Sequence, residues 1–205
     1  MNCIKRLHTS KTWQDFRKKL RPLTEKQKGD CFETLSKYYL QLHPEYTTLL
    51  KNVWKLQDVP PSVKKKLNLP SPDEGIDLIA ETKDGKFWAI QCKYRDDENT
   101  SLTRKELSTF TDLAFSICKN IELALVCTNA DRFSHKLAMY GERLSFCTGE
   151  AWRALDRDFF IRLHKLLIGK AAPLKPLIPR PHQALAIQKA YKHFVHGKTS
   201  LGKLI

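Results

Sequence analysis

No apolar run in this 205-residue chain approaches the roughly 20 residues needed to cross a bilayer. Met1 to Leu20 lacks the continuous hydrophobic segment of a secretory signal. A membrane partner is therefore not expected, and the cytoplasm is the expected location. None of the six cysteines forms a C-x-x-C pair, which excludes a zinc knuckle or a dithiol redox motif. Several sit inside apolar runs, where cysteine acts as a small hydrophobe, and a reducing compartment suits them. There is no G-x-S-x-G, and no Cys–His pairing is legible, so a nucleophilic hydrolase finds no support. Gly197-Lys198-Thr199 has the last three letters of a phosphate-binding loop, but no earlier glycine stands at the required spacing. Productive ATP binding is not expected of these residues.

What the chain does have is positive charge. Thirty-six Lys and Arg stand against twenty-two Asp and Glu, a net charge of +14, and the pI is about 9.6. A polyanionic partner follows, and charge alone does not separate DNA from RNA or an acidic membrane surface. A hydrophobic content of 41% and a charged content of 28% are ordinary for a globular protein. The length suits one good-sized domain with an appendage.

The most informative stretch runs from Pro72 to Arg95. Two apolar runs, Ile76–Ala80 and Phe87–Ile90, flank an Asp84-Gly85 pair, a strong hairpin signal. Asp77 sits at the mouth of the first strand, with Asp73 and Glu74 just before it. Gln91 and Lys93 are two residues apart on the second strand, hence on one face of the sheet. An acid, a carbonyl oxygen and an amine then meet at one end of a hairpin. That set suits an oxygen-liganded divalent metal. By residue type alone, the acids also read as a polar turn and Lys93 as a solvated strand end.

The arrangement resembles the core of the PD-(D/E)xK nuclease superfamily. Gly75-Ile76-Asp77 stands for its first acid and Gln91-Cys92-Lys93 for its (D/E)xK, in the Gln variant of the Mrr-like branch. The wording is similar to the N-terminal nuclease domain of Type ISP-like restriction enzymes, single chains that fuse a nuclease to a helicase-type ATPase. The resemblance implies a restriction-endonuclease-like α/β fold, a mixed central sheet with helices on both faces. It implies a metal-dependent DNA endonuclease acting on double-stranded DNA with Mg2+, for which Mn2+ substitutes. Asp77, Gln91 and the Cys92 carbonyl would hold the metal, Lys93 would steady the attacking water or the charge on phosphorus, and Asp73 would be auxiliary. Glu33, in Gly29-Asp30-Cys31-Phe32-Glu33, matches the acid of the first core helix, and equally reads as a surface glutamate on an amphipathic helix. The alternative of another class is a DNA-binding module that keeps the fold, does not cleave, and tethers a helicase to DNA.

Along the chain, Trp13, Phe16 and Leu20 predict one short helix within Thr9 to Leu20, and Phe32, Leu35, Tyr39 and Leu42 predict a second from Thr24 to Leu42. Tyr46 to Leu56 reads as an approach and a first strand. Lys64, Lys65 and Lys66 read as a basic loop able to touch phosphates. After the hairpin come a helix over Ser101 to Cys118 opened by a Thr103–Glu106 capping box, a doubly covered strand over Ile121 to Thr128, a helix over Asn129 to Tyr140, a strand at Leu144–Cys147 and a helix over Thr148 to Leu167.

The expected division is a nuclease domain over 1–168 and, over 169–205, a proline-rich linker and lead-in. Ile178 to Gln183 and the helix after it resemble the adenine-reading motif ahead of a superfamily 2 helicase domain, with Gln183 as its glutamine in an incomplete nucleotide site. The chain then reads as the front of a longer protein, whose helicase and methyltransferase regions would be its partners.

Overall fold

The structure is a computed structural model that describes residues 2–70, 75–171 and 181–193. The chain divides into two compact units, 1–172 and 173–205. Among the described residues no helix is long and apolar enough to cross a membrane.

The first unit is built on a five-stranded sheet in the order β1-β2-β3-β4-β5, with β1 Leu50–Lys55, β2 Leu78–Thr82, β3 Phe87–Lys93, β4 Ile121–Thr128 and β5 Leu144–Cys147. β1, β2 and β3 are antiparallel; β3, β4 and β5 are parallel. The hairpin forms as its sequence demands: Gly85 takes φ +82 in the turn, a backbone that glycine adopts without steric penalty. Parallel β3 and β4 need a crossover, supplied by α6 (Arg104–Asp112) and the π-helical turn Leu113–Ile117. α6 opens with the Thr103–Glu106 capping box.

Each sheet face carries its own core. On one, α1 (Cys3–Thr9), α2 (Trp13–Leu20), α3 (Glu25–Leu42), α4 (Pro44–Leu49), α7 (Gly149–Arg153) and α8 (Arg157–Leu167) supply a cluster around Trp13, Phe32, Tyr39, Trp152 and Phe160, which meets Leu78, Ile90 and Cys127 of the sheet. On the other, α5 (Pro61–Leu67) and α6 pack Leu67, Leu107 and Phe110 against Ile79, Ala89 and Val126. Alternation along β3 explains the split, since Trp88 and Ile90 serve the first core while Phe87 and Ala89 serve the second. This is the expected mixed sheet with helices on both faces.

Several local expectations are corrected. Thr9 to Leu20 holds the end of one helix and all of a second: the Thr12 side chain accepts from Asp15 N–H and starts α2 afresh. Lys64–Lys66 form the last turn of α5 rather than a loop, where cations complement the helix dipole. The helix expected over Asn129 to Tyr140 is absent. Residues 129–134 are irregular, and a 3₁₀ segment runs over His135–Arg143. Asn129 is fully buried and spends its amide on the Arg95 backbone, while Leu102 and Phe133 form an isolated bridge. The helix expected over Thr148 to Leu167 is two, because Asp156 caps α8 separately, accepting from Phe159 N–H at 2.8 Å.

Of the second unit, α9 (Pro181–Tyr191) is described. The linker expected after Gly169 falls mainly on 172–180, outside the described residues.

Candidate active site

The candidate residues gather where four strand ends meet: Lys55 ends β1, Asp77 precedes β2, Gln91 to Lys93 end β3, and Thr128 ends β4 with Asn129 after it. Asp77 is stitched to both neighbouring strands. Its N–H donates to Ile90 O at 2.9 Å and its carbonyl accepts from Leu56 N–H at 3.0 Å. Its Oδ2 accepts from Cys92 N–H at 2.5 Å. The turn into Asp77 depends on Gly75, at φ +119. A Cβ there would touch Gln91 Nε2 at 3.4 Å and Phe110 N at 3.7 Å, ordinary contacts, so the cost of a side chain is the strain of the positive φ.

Gln91 is 4% exposed, and its Oε1 has no hydrogen-bond partner among the described residues. A buried acceptor left unmatched costs about 1–3 kcal/mol, so such atoms in a stable core are met by water, an ion or a ligand. Lys93 follows on the same face, half-buried, opposite Thr128 of β4, with no ion pair among the described residues. Cys92 points the other way, its thiol near Ser36 and Cys127; burial pushes that thiol up, so it stays protonated and is a poor ligand. Its backbone is what the site can use.

Glu33, on α3, lies on the Cys92 side of the sheet, and Lys55 Nζ pairs with its Oε1 at 3.0 Å. Asp73 lies outside the described residues. Lys64 donates to Gln57 O at 3.2 Å, and Lys66 Nζ sits 4.7 Å from the Phe87 ring. Phe87 opens β3, six residues or roughly 20 Å from Lys93, so the lysine run borders the far end of that strand. Gln183 is an exposed residue of α9.

The donor set fits a hard divalent cation: one carboxylate, one unmatched amide oxygen and one backbone carbonyl, all oxygens. It is lean in charge, since among the described residues no group of three or more His, Cys, Asp or Glu is placed to hold a metal.

Two supporting residues escape sequence reasoning. Asn129 Oδ1 accepts from Arg95 N–H at 2.7 Å, and its Nδ2 donates to Arg95 O at 2.6 Å, pinning the chain just beyond Lys93. Trp152 Nε1 donates to Thr128 O at 2.8 Å and fixes the end of β4. The only local signal for Asn129 is a polar residue directly after an apolar strand.

The restriction endonuclease family pattern matches residues 41–144, a span that holds β1 to β4 and the start of β5. No curated protein matches the chain in sequence. Among solved structures, the chain is similar to the ATP-dependent Type ISP restriction-modification enzyme LlaBIII bound to DNA, at a TM-score of 0.61 and 22% identity over 91% of this chain. The match takes in 11% of that enzyme's length. The MspJI restriction endonuclease in complex with a 27-mer oligonucleotide aligns at a TM-score of 0.44 and 13% identity, over 85% of this chain and 38% of that one. The likeness to LlaBIII is one of fold. With half its length matched by the family pattern, the chain belongs to the restriction endonuclease family.

Proposed function

We propose that residues 1–168 are a metal-dependent DNA endonuclease domain that hydrolyses phosphodiesters at the β2–β3 strand ends. The observation that carries this is the buried Gln91 Oε1, unmatched among the described residues and next to Asp77 in the β2–β3 register, in a chain of the restriction endonuclease family.

Asp77, Gln91 and the Cys92 carbonyl would hold Mg2+ or Mn2+. When bound, such an ion lowers the pKa of a water ligand and neutralises phosphate charge. Cys92 N–H keeps the Asp77 carboxylate turned to the end of β3. Lys93 brings an ammonium to the same face as Gln91, where it donates to the attacking water or to phosphate oxygens that gain charge. Glu33 and Asp73 are auxiliary acids in this reading, with Glu33 tempered by its Lys55 partner. The net charge of +14 supports DNA as the partner, and the basic turn Lys64–Lys66 adds phosphate contacts away from the reacting bond.

Residues 169–205 are, on this reading, a linker and the lead-in to a helicase domain of a longer chain, with Gln183 as the first part of its nucleotide site. Restriction enzymes of that design also carry a methyltransferase.

A second reading is favoured by one observation. Gln91 brings no charge, and no cluster of three acidic or thiol ligands supports the metal among the described residues. A weakly metallated domain would bind DNA and tether the helicase without cutting. Incubating supercoiled plasmid with the 205-residue chain, with and without Mg2+ or Mn2+, separates the two. Metal-dependent nicks or breaks support the endonuclease, and intact plasmid with tight DNA binding supports the tether.

A further inference from the structure

Helix α2 has two stripes. Trp13, Phe16 and Leu20 are buried; Gln14, Arg17, Lys18 and Arg21, at i, i+3, i+4 and i+7, share another side. This second stripe forms one wall of a cleft of about 430 Å³, whose other lining residues are Lys28, Tyr94 and Asp96. The lining thus holds four cations and one carboxylate, with Glu25 and Glu98 pairing two of the cations from outside it.

The four are not equivalent. Arg17 donates to Asp96 O at 2.9 Å and pairs with Glu98 at 3.2 Å, and Lys28 pairs with Glu25 at 2.8 Å and with Asp96. These bonds hold the cleft in shape, yet Arg17 Nε remains buried without an acceptor among the described residues. Lys18 and Arg21 are exposed and make no hydrogen bond or ion pair among the described residues. Two unspent cations beside an orphaned guanidinium N–H, in a concave and positive setting, match a chain of phosphates: guanidinium binds phosphate in a fork, and ammonium binds it as a point charge.

The position matters as much as the charge. Tyr94 directly follows Lys93, and its ring packs 5.8 Å from Phe32 in the core beneath α2. The cleft therefore opens one residue along the chain from the proposed catalytic lysine, on the Cys92 and Glu33 side of the sheet rather than on the face of the Lys93 side chain. The run Lys64–Lys66, in contrast, borders Phe87 at the other end of β3.

We propose that this cleft seats the sugar-phosphate backbone of DNA next to the phosphate at the β3 end, with Lys18 and Arg21 as its contacts and Arg17 as the anchored floor. The proposal rests on the endonuclease reading only for which phosphate lies alongside.

The test is fluorescence anisotropy of the 205-residue chain with two unrelated 20-base-pair duplexes, in EDTA, at several salt concentrations. Lys18→Glu/Arg21→Glu is compared with Lys119→Glu/Lys136→Glu, an equal charge change at exposed residues outside the cleft. Lys18→Gln/Arg21→Gln removes charge without adding any, and melting temperatures confirm folding. The cleft pair should weaken both duplexes at least about tenfold and flatten the slope of log K against log salt by about 2, as two lost phosphate contacts require. The neutral pair should move in the same direction by less, and the control pair should leave the slope nearly unchanged. Equal effects from cleft and control pairs, or no DNA binding by the wild type, overturn the proposal. Plasmid cleavage in Mg2+ is scored separately. Absent cleavage with a cleft-specific binding loss removes the endonuclease reading and leaves the cleft. Cleavage without a cleft-specific loss removes the cleft alone.

Discussion

The Asp77 carboxylate accepts the backbone N–H of Cys92 at 2.5 Å. That one bond ties the residue just before β2 to the middle residue of Gln91-Cys92-Lys93, which holds the acid at the end of β3. It also makes Asp77 structural as well as chemical. Asp77→Ala would leave the Cys92 N–H without its acceptor, a loss of about 1–3 kcal/mol if that N–H stays buried. Asp77→Asn keeps an acceptor and removes the charge, and is the cleaner variant.

Gln91→Glu should separate metal affinity from fold. The residue is 4% exposed, so an added carboxylate is costly to bury without a counter-charge. The variant should melt below wild type in EDTA and gain more melting temperature than wild type on titration with Mg2+ or Mn2+, because a ligand stabilises the state it binds. Equal gains in both proteins mean that Gln91 does not reach the metal.

Cys92→Ala should cleave at the wild-type rate. The site uses the Cys92 backbone, and the thiol lies toward Ser36 and Cys127, kept protonated by burial. Thiol alkylation of the native protein at neutral pH should likewise spare activity at this position. Loss of cleavage in folded Cys92→Ala would assign the sulfur a role that its surroundings argue against.

Asn129→Ala should lower both stability and cleavage without touching any reacting group. It removes two hydrogen bonds to Arg95 and leaves that residue's backbone N–H and C=O unmatched, at about 1–3 kcal/mol for each group that remains buried. The strand end carrying Lys93 then loosens. The check is a melting curve beside a rate measured well below the melting temperature. A destabilised variant with full activity would show that Asn129 serves the fold alone.

The parts of this fold that were legible share a reason: their residues announce themselves locally. Ile121–Thr128 is largely apolar on both faces and is the inner strand β4, between β3 and β5. Asp84-Gly85 turns the hairpin, and Thr103 with Glu106 caps α6. What was not legible depends on long-range bonds. The stretch from Asn129 has enough apolar residues for a helix, but its first side chain is committed to Arg95, thirty-four residues back, and Gly141 at φ +55 breaks the 3₁₀ segment. The site divides in the same way. Asp77, Gln91 and Lys93 stand in a motif with fixed spacing. The Glu33–Lys55 ion pair and the Trp152 bond to Thr128 join residues that no pattern connects.

The most direct test of the central claim is plasmid cleavage by wild type, Asp77→Asn and Lys93→Ala, each with Mg2+, with Mn2+ and with EDTA, beside their melting curves. The account predicts that wild type cuts only with metal, that both variants lose cleavage by at least the ~10²-fold typical of a removed catalytic group, and that their melting temperatures stay close to wild type. Cleavage by wild type in EDTA, or wild-type rates in either folded variant, would contradict it.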